Sequence, residues 1–325
     1  MKTRLPLIAA LLLPATAHAG LREVAQDHIL PGYAAFAQAT ANLAATAETD
    51  CTGDATRAAY QQAFDAWMGI SHIQFGPIED MNLSLAIAYW PDTKNRTGKA
   101  LAGLIAAEDP IAFDRAAYRD VSIAAQGFFA LERLLYDPSI DASDYVCALT
   151  GSIAGGLADT ATMLSDAWVD YADVLATPGP DNPAYPTPED AARKVFTALN
   201  SGLEFDRDTR LGRPLGTFDR PRPTRAEARL SARSQRNVEL SLAALQDLAE
   251  KLADDPIPGT LARFDIARAS ASDLDDPVFD GVDTPMQRFR VEALQQDVRD
   301  IQTVMATEIG AALGVSAGFN SLDGD

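Results

Sequence analysis

The chain has 325 residues, room for two domains of ordinary size, and its 27 basic against 46 acidic side chains leave a net charge of −19. A surface of that sign repels nucleic acid and anionic lipid. It suits cations or basic partners, or simply keeps the molecule soluble by self-repulsion.

The N-terminal "MKTRLPLIAALLLPATAHAG" sets Lys2 and Arg4 before an apolar run and ends on Ala17-His18-Ala19, the A-x-A pattern of a cleavage site. This predicts a secretory signal peptide over 1–19, since the apolar core is too short for a membrane span. No later stretch is long and apolar enough to cross a bilayer, so a soluble exported protein beginning near Gly20 is expected, with the periplasm as its compartment. Without residues 1–19 the balance is 25 basic against 46 acidic residues, a net charge of −21. Cys51 and Cys147 would then meet an oxidising compartment, and a disulfide between them is expected.

Alanine, leucine, arginine, glutamine and glutamate dominate, and long β-branched runs are missing, which predicts an all-α fold. Helices are expected over about 21–46, 54–70, 77–89, 93–107, 111–136, 142–176, 187–204, 224–253 and 284–313. Phe75-Gly76-Pro77 forces a bend, with Glu79 and Asp80 in the next first turn. Trp90-Pro91-Asp92 is a second corner, and Asp92 is placed to cap the helix through Arg96. Asp141 or Ser143 can cap the helix through Cys147, Thr187 caps the one opening at Pro188, and Thr224 with Glu227 has capping-box spacing. "ATPGPDNPAYPTPED" (176–190) holds five prolines and marks the expected boundary between a domain over 20–180 and one over 181–325. The following 205–224 stretch is basic, with Arg207, Arg210, Arg213, Arg220 and Arg222. It reads either as a solvated loop or as arginines crossing to carboxylates of the other domain. "DAW" occurs at 65–67 and 166–168, and both Trp67 and Trp168 read as core.

After the leader only His28 and His72 remain, which excludes a three-histidine zinc site. HExxH, GxSxG, P-loop and dinucleotide glycine patterns do not occur. No CxxCH exists either, and haem attachment has no familiar pattern. The most unusual stretch is "GFFALERLLY" (127–136), where Glu132 shares a helical face with Phe128, Phe129, Leu135 and Tyr136. An acid there is held by hydrogen bonds or by an arginine, such as one from 205–224, or it neutralises. Arg133 faces elsewhere and suits an i,i+4 pair with Asp137.

"GPIED", "YWPDTKNR", "GFFALERLLY" and "LGVSAGFNSLDGD" stand in the order and spacing of the imelysin family, a resemblance that spans about Leu21 to Asp325. It implies two helical-bundle domains packed side by side, with a site near their interface, in an exported protein of bacterial iron uptake. The family's GxHxxE motif falls on Gly127, Phe129 and Glu132, so phenylalanine stands where the motif has histidine. Histidine and glutamate at i and i+3 can bind one metal, whereas phenylalanine has no lone pair to donate. The expected site therefore takes in Trp67, His72, Gly76, Pro77, Trp90, Asp92, Gly127, Phe129 and Glu132, with no catalytic residue assigned. If it holds iron, hard oxygen ligands would come from Glu79, Asp80, Asp92, Glu132, Asp323 and Asp325, with His72 as the one nitrogen. The expected role is binding a metal, a haem-like ligand or a protein partner without turnover, the partners being other periplasmic or membrane iron-uptake components. The alternatives are a metallopeptidase with Glu132 as base, or a diverged interaction module in which Phe129 closes the former site.

Overall fold

The computed structural model describes residues 19–314; the leader, Asp323 and Asp325 lie outside them. The described residues form no β-sheet, only helices and one isolated bridge between Thr217 and Arg220. Helix α1 runs over 19–50, with a π-wound stretch Val24–Ile29 followed by regular helix Leu30–Asp50. Its buried positions Tyr33, Phe36, Thr40, Leu43 and Ala47 alternate three and four apart, the stripe a helix needs to face a core. That stripe packs on α2 (Asp54–Met68) and on the long α5 (Asp144–Ala176). Tyr33 stacks on Trp168 and Trp67 tilts on Phe36, so both "DAW" tryptophans are core residues. Cys51, just past α1, is bridged to Cys147 near the start of α5 with Cα atoms 4.9 Å apart.

Helix α3 (Arg96–Ala107) is capped as expected: the Asp92 carboxylate accepts the backbone N–H groups of Arg96 and Thr97, each at 2.9 Å. Helix α4 (Gly127–Tyr136) is buried almost all round. The expected single helix over 111–136 is instead a series of short turns that ends where α4 begins, because Gly127 adopts φ +67°. A Cβ on Gly127 would lie 2.2 Å from the Ile87 carbonyl oxygen, so only glycine lets the 84–87 turn approach this closely. The expected helix over 77–89 is likewise two separate turns, Pro77–Asp80 and Ser84–Ile87. Ser143, rather than Asp141, caps α5 by accepting the Val146 N–H.

Thr187 caps α6 (Pro188–Glu204) by accepting the Asp190 N–H. The chain then stays helical where a basic loop was expected, through a π-wound Phe205–Leu211 and a last turn Gly212–Leu215. Helix α7 begins at Ser234 and ends at Leu252. The expected capping box at Thr224 and Glu227 does not form, because Thr224 sits in a 3₁₀ turn and Glu227 is committed to Arg210 and Asn237. Helix α8 (Pro258–Ser272) was not expected from the sequence. Its buried stripe of Thr260, Phe264, Ala267 and Ala271 is mostly small residues, and Glu308 caps it from 48 positions away. α8 packs on both α7 and α9 (Pro285–Met305).

The proline-rich passage at 177–187 is a non-helical connection. The helices on its two sides meet along a seam, where α7 contacts α2 and the first turns of α1. Arg233 is fully buried there and joins the two sides: it donates to Asp65 at 2.7 Å and Gln61 Oε1 at 2.6 Å, with its guanidinium over the Phe64 ring.

Candidate functional site

Ten residues before α7 carry a helical pattern but do not form helix. Ala228 and Ala232 take φ +46° and +56°, a left-handed conformation that costs a non-glycine residue about 1 kcal/mol or more each. The bend is fixed locally, by the Arg233 N–H on the Ala228 carbonyl and the Ser234 hydroxyl on the Glu227 carbonyl. Its product is a free Ser231 N–H aimed at α4. Both that N–H (3.0 Å) and the Ser231 hydroxyl (2.7 Å) donate to one oxygen of Glu132.

Glu132 is thus held by a serine and not by an arginine of 205–224, which corrects that expectation. Of those arginines, Arg207 bonds Asp208 and Gln302, Arg210 bonds Asp206 and Glu227 at 2.7 Å each, and Arg213 lies on the pocket wall. Burial pushes the Glu132 carboxyl above its ordinary range, and the two Ser231 bonds only partly oppose this. Arg133 makes the expected pair with Asp137, 2.8 Å.

Glu132 and Phe129 line a pocket of about 330 Å³. Its other walls are the Tyr89–Thr97 corner, with Trp90, Asp92 and Asn95, and the segment from Thr224 to Leu230. Phe129, 7% exposed, lies near-parallel to Trp90 at 6.3 Å between ring centres and edge-on to Phe64. Although burial pushes the Asp92 carboxyl up, its bonds from the Arg96, Thr97 and Lys94 N–H groups outweigh this and hold it below its ordinary value. Four arginines face the same space: Arg133, Arg213, Arg225 and Arg229.

Trp90 also walls a second cavity of about 310 Å³, with Trp67, His72, Phe205, Arg210 and Glu227. Here the two histidines that the sequence left without context form a chain. Asp247 bonds His28 Nδ1 at 2.6 Å, and His28 Nε2 meets His72 Nε2 at 2.8 Å. The His28 bond, aided by Lys251, holds the Asp247 carboxyl down at about 2. Burial, then the proximity of His28 and Arg210, keeps the His72 pKa well below that of a free histidine. The His72 Nδ1 atom is buried without a partner.

Five of the expected metal ligands lie among the described residues, and they do not converge on one point. His72 belongs to the second cavity, Glu132 is fixed on Ser231, Asp92 caps α3, Glu79 is exposed and pairs with Lys194 at 3.0 Å, and Asp80 is exposed. Among the described residues, no three histidines, cysteines, aspartates or glutamates cluster so as to hold a metal ion. Gly76 and Pro77 line neither cavity. Gly76, at φ +64°, lies so close to Tyr171 that a Cβ there would come within 2.8 Å of the ring. Sequence reasoning named Arg213 only as part of a basic stretch and His72 only as a lone ligand, and it missed Ser231, Arg225 and the link from Asp247 through His28 to His72. No local signal marks them, since each acquires its role from partners remote in sequence.

A sequence profile of the imelysin family matches residues 29–305. The chain belongs to the imelysin family. Two solved structures share its fold. An imelysin-like protein from Psychrobacter arcticum is 22% identical, with a TM-score of 0.79, over 93% of this chain and 97% of that one. A protein from Parabacteroides distasonis, named as an iron-regulated protein A precursor, is 12% identical with a TM-score of 0.72, over 90% and 95% of the two chains. At these identities the likeness shows the fold alone. No curated protein matches the chain.

Proposed function

We propose that this imelysin-family protein is an exported, non-catalytic binding component of bacterial iron acquisition, taking its ligand in the pocket beside Phe129 and Glu132. The observation that carries the absence of turnover is the pair itself. Phe129 stands where the family motif has its histidine, and Glu132 is buried, pushed toward its neutral form and tied to Ser231. A water-activating metal needs several donors and a free general base, and this pair offers neither. Support for iron comes from the resemblance and from the name of the Parabacteroides neighbour. Export is supported by the leader-like 1–19 and by the Cys51–Cys147 disulfide, which suits an oxidising compartment such as the periplasm. Partners would be other periplasmic or membrane components of iron uptake. The division into 20–180 and 181–325 remains part of this reading, with the pocket between their helices. Close packing of Phe129 on Trp90 and Phe64 favours, as a second reading, an interaction module whose former metal site is closed.

The test is cleavage of labelled casein and of a mixed peptide library by the purified protein loaded with Zn(II) or Fe(III), with and without chelator. No cleavage is expected. Chelator-sensitive cleavage that disappears in Glu132→Gln would overturn the reading. Phe129→His, which rebuilds the i,i+3 pair, is expected to gain Zn(II) affinity over the parent in calorimetric titration.

A further inference from the structure

We propose that the pocket beside Phe129 binds a compact oxyanion, a carboxylate or a phosphate group, gripped by Arg213 and Arg225. The proposal deepens the binding role above and rests on it.

The fully buried arginines among the described residues are satisfied. Arg210 bonds Asp206 and Glu227, Arg233 bonds Asp65 and Gln61, and Arg288 bonds Glu292 and the Leu215 carbonyl. Arg213 and Arg225 differ. Neither has an ion pair or hydrogen bond from its side chain among the described residues, and the Arg213 Nε is buried with no partner. In a chain with 46 acidic residues, two neighbouring guanidinium groups stand unpaired on one pocket wall, the half-buried Arg213 and the exposed Arg225, and both are open to a carboxylate or phosphate. Burial and the charge of Arg225 both lower the Arg213 pKa, the signature of a cation short of an anion.

The remaining groups make the site selective rather than merely positive. Trp90 lies under the Arg213 guanidinium at 5.7 Å and limits its freedom, which favours bidentate, planar recognition of an oxyanion. Arg133 and Arg229 already have Asp137 and Asp280, so they add field without being free to leave. The Asp92 charge is turned onto backbone N–H groups of the Tyr89–Thr97 corner. Glu132 keeps one oxygen on Ser231, and in its protonated form the other is a hydrogen-bond donor to an anion. The space of about 330 Å³ admits a small polycarboxylate or a phosphoryl group with a short substituent.

The experiment is calorimetric titration of the whole, metal-free protein at low ionic strength with sodium citrate and, separately, with inorganic phosphate. Saturable binding of at least one anion near one equivalent is expected, at least tenfold weaker in Arg213→Ala and in Arg225→Ala. Arg119→Ala, which removes an exposed partner of Asp159 on a different cavity, is expected to bind as the parent does. A stronger citrate signal names a carboxylate ligand, and a stronger phosphate signal a phosphorylated one. Absence of saturable binding by either anion, or equal binding by all variants, overturns the proposal. Melting curves without anion show whether each variant is folded, with midpoints expected to equal or exceed that of the parent. Casein cleavage would defeat the non-catalytic reading and leave the titration interpretable, so the two failures are distinguishable.

Discussion

Two groups of arginines lie on opposite terms with their surroundings. At the seam, Arg233 is as buried as any side chain in the molecule, yet its donors are spent on Asp65, Gln61 and Asn237, and its plane rests on Phe64. On the pocket wall, Arg213 is only partly buried and has an aromatic neighbour in Trp90, but no acceptor. The difference separates structure from function. A buried cation with a full set of acceptors holds two parts of a fold together, whereas a half-buried cation without them leaves recognition capacity unspent.

The largest expected effect breaks the first group. Arg233→Ala removes the bonds to Asp65, Gln61 and Asn237 and opens a cavity beside Phe64, although Arg236 still pairs with Asp65, and should lower unfolding free energy by about 2–4 kcal/mol in urea titration. Arg233→Met, which keeps the volume, should cost clearly less; equal losses would mean that charge pairing and not packing holds the seam. Next comes the disulfide. Cys51→Ser with Cys147→Ser, which opens a loop of 96 residues, should cost about 2–4 kcal/mol by the same measurement.

Glu132 sharpens the comparison through pH. Its raised pKa means that the folded state binds the proton more tightly than the unfolded chain does. Its contribution is therefore complete below the ordinary carboxylate range and is lost as pH rises through the raised value. Glu132→Gln, a mimic of the neutral acid, should gain stability relative to the parent between pH 5 and pH 8. A difference independent of pH would show the carboxyl already ionised. His72 runs the other way: its lowered pKa costs stability as pH falls below the ordinary histidine value, and His72→Asn should flatten that limb. The smallest effect belongs to the pocket. Arg213→Ala should leave stability within about 0.5 kcal/mol of the parent, measured without anion, because no bond is broken. A loss of several kcal/mol would place Arg213 with Arg233 as a structural residue.

Much of the fold was legible because it is written in local chemistry. The three-and-four spacing along α1, the Asp92, Ser143 and Thr187 caps, and the Arg133–Asp137 pair all act within a few residues. Where the sequence misled, the reason was a distant partner. Residues 224–233 have the composition of a helix start, but Glu227 goes to Arg210 and Ser231 to Glu132, and these bonds outweigh a propensity worth a few tenths of a kcal/mol per residue. Helix α8 escaped notice because its buried stripe has one large apolar residue, Phe264, among threonine and alanines, and its cap comes from Glu308. The site was legible in one respect, that Phe129 and Glu132 stand in the family's motif, and illegible in the rest.

By itself the sequence determined an all-helical chain of the imelysin family, a leader-like start, a disulfide pair, and a motif whose histidine is missing. Those are properties of composition, periodicity and short spacing, which survive without knowing what packs on what. Only the tertiary structure decided that Glu132 is answered by a serine 99 positions away, that His28 and His72 share a hydrogen bond, and that two arginines face a pocket unpaired. A carboxyl or guanidinium has no fixed charge state or task along a chain; burial and the neighbour that folding brings to it assign both.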